Sequence, residues 1–219
     1  MDRSSLRYGY LVIILALAAG GLSASGCRNA LATAMWIAKG TNVSAEYSGL
    51  RGQRVVVVCR SLANLKYRDT SVAKDLARQL GLLLKRNVPK IEVIDQRKVA
   101  EWTDENMWDE YTEIGKALEA EMVVGVDLQD FTIYQGQTLY QGKAIVTLTV
   151  YDCRDGSQLV YEKELPQSVY PPNTGIPTSE KLEAEFRREF VRVLADQIGR
   201  HFYDHDAHDN YALDATVLD

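Results

Sequence analysis

The residue pattern predicts an α/β fold, a single mixed β-sheet in the order β-α-β-α-β-β-β-α with helices packed on it. Three observations carry that expectation. RVVVVCRS at 54–61 and MVVGVDL at 122–128 are near-continuous aliphatic runs, which strands buried on both faces require. Helical patterns stand between such runs, and a strand–helix–strand unit closes as a parallel pair through a right-handed crossover. Beyond Gly136 the pattern changes to strands joined by tight turns, as in antiparallel hairpins added at one side of the sheet.

The elements follow in order. After the first strand and a polar loop, TSVAKDLARQLGLLLKRN places Val72, Leu76, Leu80, Leu83 and Leu84 on one side of a helix. Asp69 or Ser71 is positioned as its N-cap and Pro89 stops it. IEVID at 91–95 is a short second strand, and QRKVAEW makes one or two helical turns. WDEYTEIGKALEAE reads as the second main helix, with Tyr111, Ile114 and Leu118 on its apolar side. MVVGVDL is the third strand and runs on into DFTIYQ. KAIVTLTVYD at 143–152 and SQLVYEKEL at 157–165 flank Arg154-Asp155-Gly156, a hairpin signal. A loop with three of the five prolines leads to a last helix, where Leu182, Phe186, Phe190, Leu194, Ile198 and Phe202 recur every four residues and form a core face.

Ahead of the fold lies a three-part leader. Residues 1–7 are net positive, 8–19 are apolar, and small residues follow up to Cys27, the order of a secretory signal peptide. The run from Tyr8 to Ser25 is also just long enough to weigh as a spanning helix, so an uncleaved anchor and soluble export stand as alternatives to cleavage. Ala24, Ser25, Gly26 and Cys27 resemble the bacterial lipobox, with Ala24 where Leu is usual. The resemblance implies lipidation of Cys27, which tethers the chain to a membrane without spanning it. Arg28 is not the Asp that retains lipoproteins in an inner membrane, so the expected location is the bacterial cell envelope, at the outer membrane and facing the periplasm.

The expected organisation is a signal peptide at 1–26, a tether at 27–52, the α/β domain at 53–203 and a polar tail at 204–219. The net charge is −5, and removing residues 1–26 takes away one acid and two bases to leave −6. No stripe of Lys and Arg interleaved with aromatics accompanies that balance, so no nucleic-acid partner is expected. Cys59 and Cys153 end strands that run in opposite directions, which puts them at opposite ends of the sheet and argues against a disulfide.

Chemistry-bearing residues are few. Gly-rich phosphate loops, Gly-x-Ser-x-Gly and His-Glu-x-x-His are all absent from the sequence, and no cofactor is expected. RHFYDHDAHDN at 200–210 gathers all three histidines. His201, His205 and His208 with Asp204 form an alternative metal site, weighed against a solvated helix end where histidine suits the dipole. In the proline-rich loop, Tyr170 and Ile176 are candidate partner contacts, weighed against a rigid connector.

IDQRKVAEW followed by IGKALEAEMVVGVDL resembles a pattern in a group of bacterial envelope proteins. That group comprises the N-terminal domain of TolB, activators of penicillin-binding proteins of the LpoB type and curli secretion lipoproteins of the CsgG type. Asp95, Arg97, Ile114, Gly115, Leu118, Ala120, Val123 and Gly125 match; Gln96, Glu119 and Glu121 depart. The resemblance covers roughly residues 53–203 and implies the same element order and a non-catalytic role in binding another envelope protein. The matched residues serve turns and packing, so no active site comes with them. The candidate hairpin insertions ANLKYRDT and YQGQTLYQG are too short and polar for a membrane barrel, which sets pore formation aside. The expected function is therefore a non-catalytic, lipid-anchored protein-binding or assembly module, with self-association as a variant of it and, as the alternative, a metal-binding protein or metal-dependent enzyme using the His/Asp-rich C-terminal end.

Overall fold

A computed structural model describes residues 42–61 and 70–207. Its elements are β1 (Asn42–Val43), β2 (Arg54–Ser61), α1 (Thr70–Asn87), β3 (Glu92–Val93), α2 (Gln96–Glu105), α3 (Tyr111–Ala117) and β4 (Met122–Gln135). β5 (Leu139–Asp152), β6 (Gln158–Glu164), β7 (Ser168–Tyr170), β8 (Ile176–Pro177), α4 (Glu183–Gly199) and β9 (His205–Asp206) follow. The main sheet runs β3-β2-β4-β5-β6, and β7 and β8 also pair with β5. β2 is parallel to β3 and β4, with Val57 opposite Val124, whereas β4–β5 and β5–β6 are antiparallel. This is the mixed α/β sheet the sequence predicts.

The aliphatic runs have the composition they do because both faces of β2 and β4 are covered. Val55, Val57, Val124, Val126 and Leu128 pack with Leu76 and Leu80 of α1 and Phe190 and Leu194 of α4. Val56, Val58 and Val123 face the other way, against Val99 of α2 and Tyr111 and Ile114 of α3. Among the described residues no helix is long and apolar enough to cross a membrane. The turn between β5 and β6 has Gly156 and Ser157 both at positive φ, +85° and 59°, as a tight right-twisted hairpin demands.

Four details depart from the expected elements. The second strand shrinks from IEVID to Glu92–Val93 because Asp95 caps α2, its side chain accepting the Arg97 N–H at 2.9 Å. That cap extends the turns at QRKVAEW into a ten-residue helix. α3 is correspondingly shorter than the expected helix. A capping box between Glu110 and Glu113 starts it, and Glu119, in the left-handed region at φ 53°, follows its end. The proline-rich loop is partly strand, since Ser168–Tyr170 and Ile176–Pro177 both add to β5. Leu182, the first residue of the expected α4 core face, is instead the N-cap residue and 75% exposed.

The folded part also reaches beyond 53–203. Leu50, assigned to the tether, is completely buried in the main core, and the Tyr47 ring packs on Tyr161 and Phe202. Asp204, assigned to the tail, accepts the Ala45 N–H at 2.9 Å, and β9 pairs with β1. The chain from Val43 onward forms one compact unit. Cys27, His208, the Asp69 cap position and most of the tail lie outside the described residues.

Candidate functional site

The apolar run of β2 ends in Arg60, and that of β4 is broken by Asp127, which stands opposite it in the parallel register. Two charges at neighbouring positions on buried strands must satisfy each other. Arg60 Nε donates to Asp127 Oδ1 at 2.9 Å and its Nη1 donates to the Asp109 carbonyl at 2.9 Å. The buried Tyr111 hydroxyl donates to the same Asp127 oxygen at 2.9 Å. The guanidinium also lies 5.1 Å from the Tyr111 ring centre and 5.9 Å from that of Trp108. Asp127 thereby raises the Arg60 pKa, while burial, reinforced by Asp127, pushes the Tyr111 hydroxyl up. This hub ties the C-terminal end of β2 and the middle of β4 to the loop between α2 and α3.

Beside the hub a crevice of about 420 Å³ opens between α1 and α2. Ala73, Ala77, Val99, Ala100 and Trp108 line it with Val57, and Lys74 Nζ reaches Asp104 at 2.7 Å from α1 to α2. In sheets with parallel strands, the ends of those strands are where ligands settle. Cys59, which also lines the crevice, has its thiol pushed up by burial, away from the thiolate a nucleophile needs.

A second groove, of about 640 Å³, lies along α4. Ala144, Val146, Val193 and Leu194 line it, together with Glu46 and His201. Glu46 belongs to the strap from Val43 to Leu50, which enters the fold here. Its carboxylate accepts from Lys163 Nζ at 2.6 Å and from the Tyr161 hydroxyl at 3.1 Å, and contacts His201 Nδ1 at 3.2 Å. The Lys163 ammonium, above all, brings the Glu46 pKa down to about 2, whereas burial lowers that of His201.

The residues singled out from the sequence go to different places. His201 faces Glu46, His205 Nδ1 lies 3.3 Å from the Tyr203 carbonyl, and Asp204 holds the strap backbone, so they do not converge. Among the described residues no group of three or more His, Cys, Asp or Glu is placed to hold a metal ion. Tyr170 is 6% exposed and stacks on Phe186 and Phe190, which makes it core and corrects its reading as a docking contact; Ile176 is half-buried opposite Tyr140. Cys59 and Cys153 are free thiols near opposite ends of the sheet. The sequence reading missed Arg60, Asp127 and Glu46. The first two had a signal, a charge set at the end of or inside an aliphatic run.

No family model and no curated protein matches the chain. Among solved structures it is similar to the PelC dodecamer from Paraburkholderia phytofirmans, at 12% identity over 74% of this chain and 95% of that one, with a TM-score of 0.44. A lipoprotein from Neisseria meningitidis is similar at 10% identity over 66% and 96% of the two chains, TM-score 0.39. The C-terminal domain of LpoB from Salmonella enterica is similar at 10% identity over 54% and 82%, TM-score 0.36. At these values no residue role and no activity passes from those proteins to this one.

Proposed function

We propose that this chain is a lipid-anchored module of the bacterial cell envelope that binds another envelope protein and catalyses no reaction. The observation that carries the reading is the leader. A net-positive start, an apolar run and small residues end at Cys27, and the first described strand begins at Asn42, a short tether away. Cleavage ahead of Cys27 leaves a mature N-terminus able to carry acyl chains, and Arg28 favours sorting to the outer membrane with the domain in the periplasm. The hub and crevice at the sheet end fit the binding role, because their charges are matched with each other and their surfaces include apolar side chains. The fully exposed Met107 stands next to Trp108 beside that crevice and is the side chain a partner would cover first.

The deciding experiment is the intact mass of the N-terminus after detergent extraction from membranes of the native host. The expected result is a chain starting at Cys27 with acyl mass added. A chain that retains residues 1–26, or a soluble unacylated one, overturns the lipid anchor. A photo-crosslinker at Met107 then reads the partner directly. A discrete adduct with another envelope protein supports the module, and adducts formed only with lipid contradict it.

A further inference from the structure

We infer that the outer edge of β6 is a docking site for an extended strand of a partner protein in which Lys or Arg alternates with apolar side chains. β6 ends the main sheet, and among the described residues no strand lies beyond it. Leu165 N–H donates to the Val146 carbonyl at 2.9 Å. From there the register runs back as Thr147 with Glu164, Leu148 with Lys163, Thr149 with Glu162 and Val150 with Tyr161. Hydrogen-bonded pairs alternate along an antiparallel ladder. Lys163 and Tyr161 therefore spend their backbone groups on β5, and Glu162 and Glu164 turn theirs outward. Among the described residues no backbone bond reaches those outward groups. The strap meets β6 through the side chains of Lys163 and Tyr161, on the face toward α4.

An open edge is ordinarily guarded by charge, a bulge or a proline. The bulge of β6 lies at Val160, where the register slips, and residues 161–164 stay regular. The charge is of one sign. Glu162 and Glu164 are exposed on one face of the strand, opposite Thr149 and Thr147, and neither makes an ion pair among the described residues. The cations beside them are already matched, Lys163 with Glu46 and Arg154 with Asp152. Lys143 stands opposite Val169, four positions along β5 from Thr147 and so roughly 13 Å away. Two carboxylates thus remain uncompensated at the edge.

That sign selects the occupant. A second copy pairing antiparallel through the regular stretch of the same edge puts Glu162 opposite itself or opposite Glu164, and like charges directly opposite repel. A strand with Lys or Arg at those positions turns the same contacts favourable. On the other face Leu159, 47% exposed, and the half-buried Tyr161 offer apolar surface, which guarding alone does not require. Successive side chains of a strand point to opposite faces, so the partner strand carries basic and apolar residues in turn. This mode of contact rests on the protein-binding reading above and adds to it how the partner is held, by main-chain bonds along the edge and by charge across it.

The test is hydrogen exchange of the full chain in neutral detergent, read at single amides. The probes are a short peptide of alternating Lys and Val and its Glu–Val counterpart. The Lys–Val peptide should slow exchange at Glu162 and Glu164, and the Glu–Val peptide should not. The amides of Tyr161 and Lys163, bonded to β5, report whether the strand itself stays intact. In the variant E162K/E164K the preference should reverse, with affinity for the Lys–Val peptide lower by about tenfold or more. The neutral variant E162Q/E164Q should bind the two peptides alike. Unchanged exchange with the Lys–Val peptide overturns the proposal, and so does equal slowing by both peptides in the unaltered chain. Outward amides that are slow before any peptide is added, in a chain whose mass is that of two or more copies, mean that a second copy holds the edge and also overturn it. The photo-crosslinker at Met107 reads protein binding at the crevice independently, so failure at the edge is separate from failure of the binding reading.

Discussion

Glu46 shows how one residue from an apparently loose segment can fix a fold boundary. Its carboxylate joins the strap to Lys163 and Tyr161 on β6 and to His201 just beyond α4. Nothing in TNVSAEYSGL announces that role, because its partners lie 115 to 155 residues away. The pH consequence has a definite sign. Glu46 has a folded pKa of about 2 against an ordinary value of 4.5, so its stabilisation is fully present above about 4.5 and is lost as pH falls from there toward 2. His201 is lowered by burial, so acidification below its ordinary 6.5 protonates the unfolded chain first and also erodes stability. Glu46→Gln should cost about 1 kcal/mol at pH 7, the modest figure a half-exposed carboxylate allows. Urea denaturation at pH 7 and at pH 3 checks this. The gap between wild type and variant should narrow at pH 3, and an unchanged gap contradicts the assignment of the shift to Glu46.

At the scale of elements, period and run length were readable wherever one physical cause dominated. The spacing in α1 and α4 placed Leu76, Leu80, Phe186, Phe190 and Leu194 in the core because a helix buries one stripe regardless of its neighbours. The aliphatic runs of β2 and β4 were equally plain, since both their faces are covered. What could not be read were ends and short pieces. α2 is long and α3 short because Asp95 and Glu110 act as caps, and β7 and β8 exist only because the far half of β5 offers them a free edge. Of the candidate sites, the described members of the histidine cluster, His201, His205 and Asp204, do not converge, because proximity in sequence at a helix end does not bring side chains together. Tyr170 failed because a proline-rich loop can still supply a core aromatic. That aromatic stack is where α4 meets the sheet. Phe190 stacks on Phe131 with ring centres 5.2 Å apart, and it leaves room only for glycine at 142, where a Cβ would come within 2.5 Å of its ring. Phe190→Ala should therefore cost about 3–5 kcal/mol. Gly142→Val should also destabilise through overpacking. If the two penalties are caused by the same contact, the double variant will be more stable than their sum predicts, and strict additivity in denaturation experiments would count against it.

On the scale of the whole molecule, the question is where the independently folding unit begins and ends. Sequence patterning puts the limits at 53 and 203, the span over which apolar periodicity is visible. Packing puts them further out. Leu50 is completely enclosed, Tyr47 N–H donates to the His201 carbonyl at 2.9 Å, and Asp204 returns to bind Ala45. The strap and the residues after α4 thus close over β6 and the end of the core together. A chain of residues 53–203 loses the Leu50 side chain, the Tyr47 ring contacts and the Glu46 hub at once. The vacated Leu50 site alone is comparable to a large-to-small core substitution, about 2–5 kcal/mol. For a domain of this size that corresponds to a fall in Tm of about 10 °C, with more from the exposed Phe202 and Tyr161 faces. A chain of residues 42–207 should keep the melting temperature of the full folded part. Thermal unfolding of the two truncations, followed by circular dichroism, separates the possibilities. Matching melting temperatures would mean that the strap merely lies on the fold and that the tether does extend to residue 52. A lower value for 53–203 alone would mean that the segment leading from Cys27 is built into the domain from Val43 onward. If Cys27 carries the lipid proposed above, any pull on it would then be borne by Glu46, Tyr47 and Leu50 before it reached the sheet.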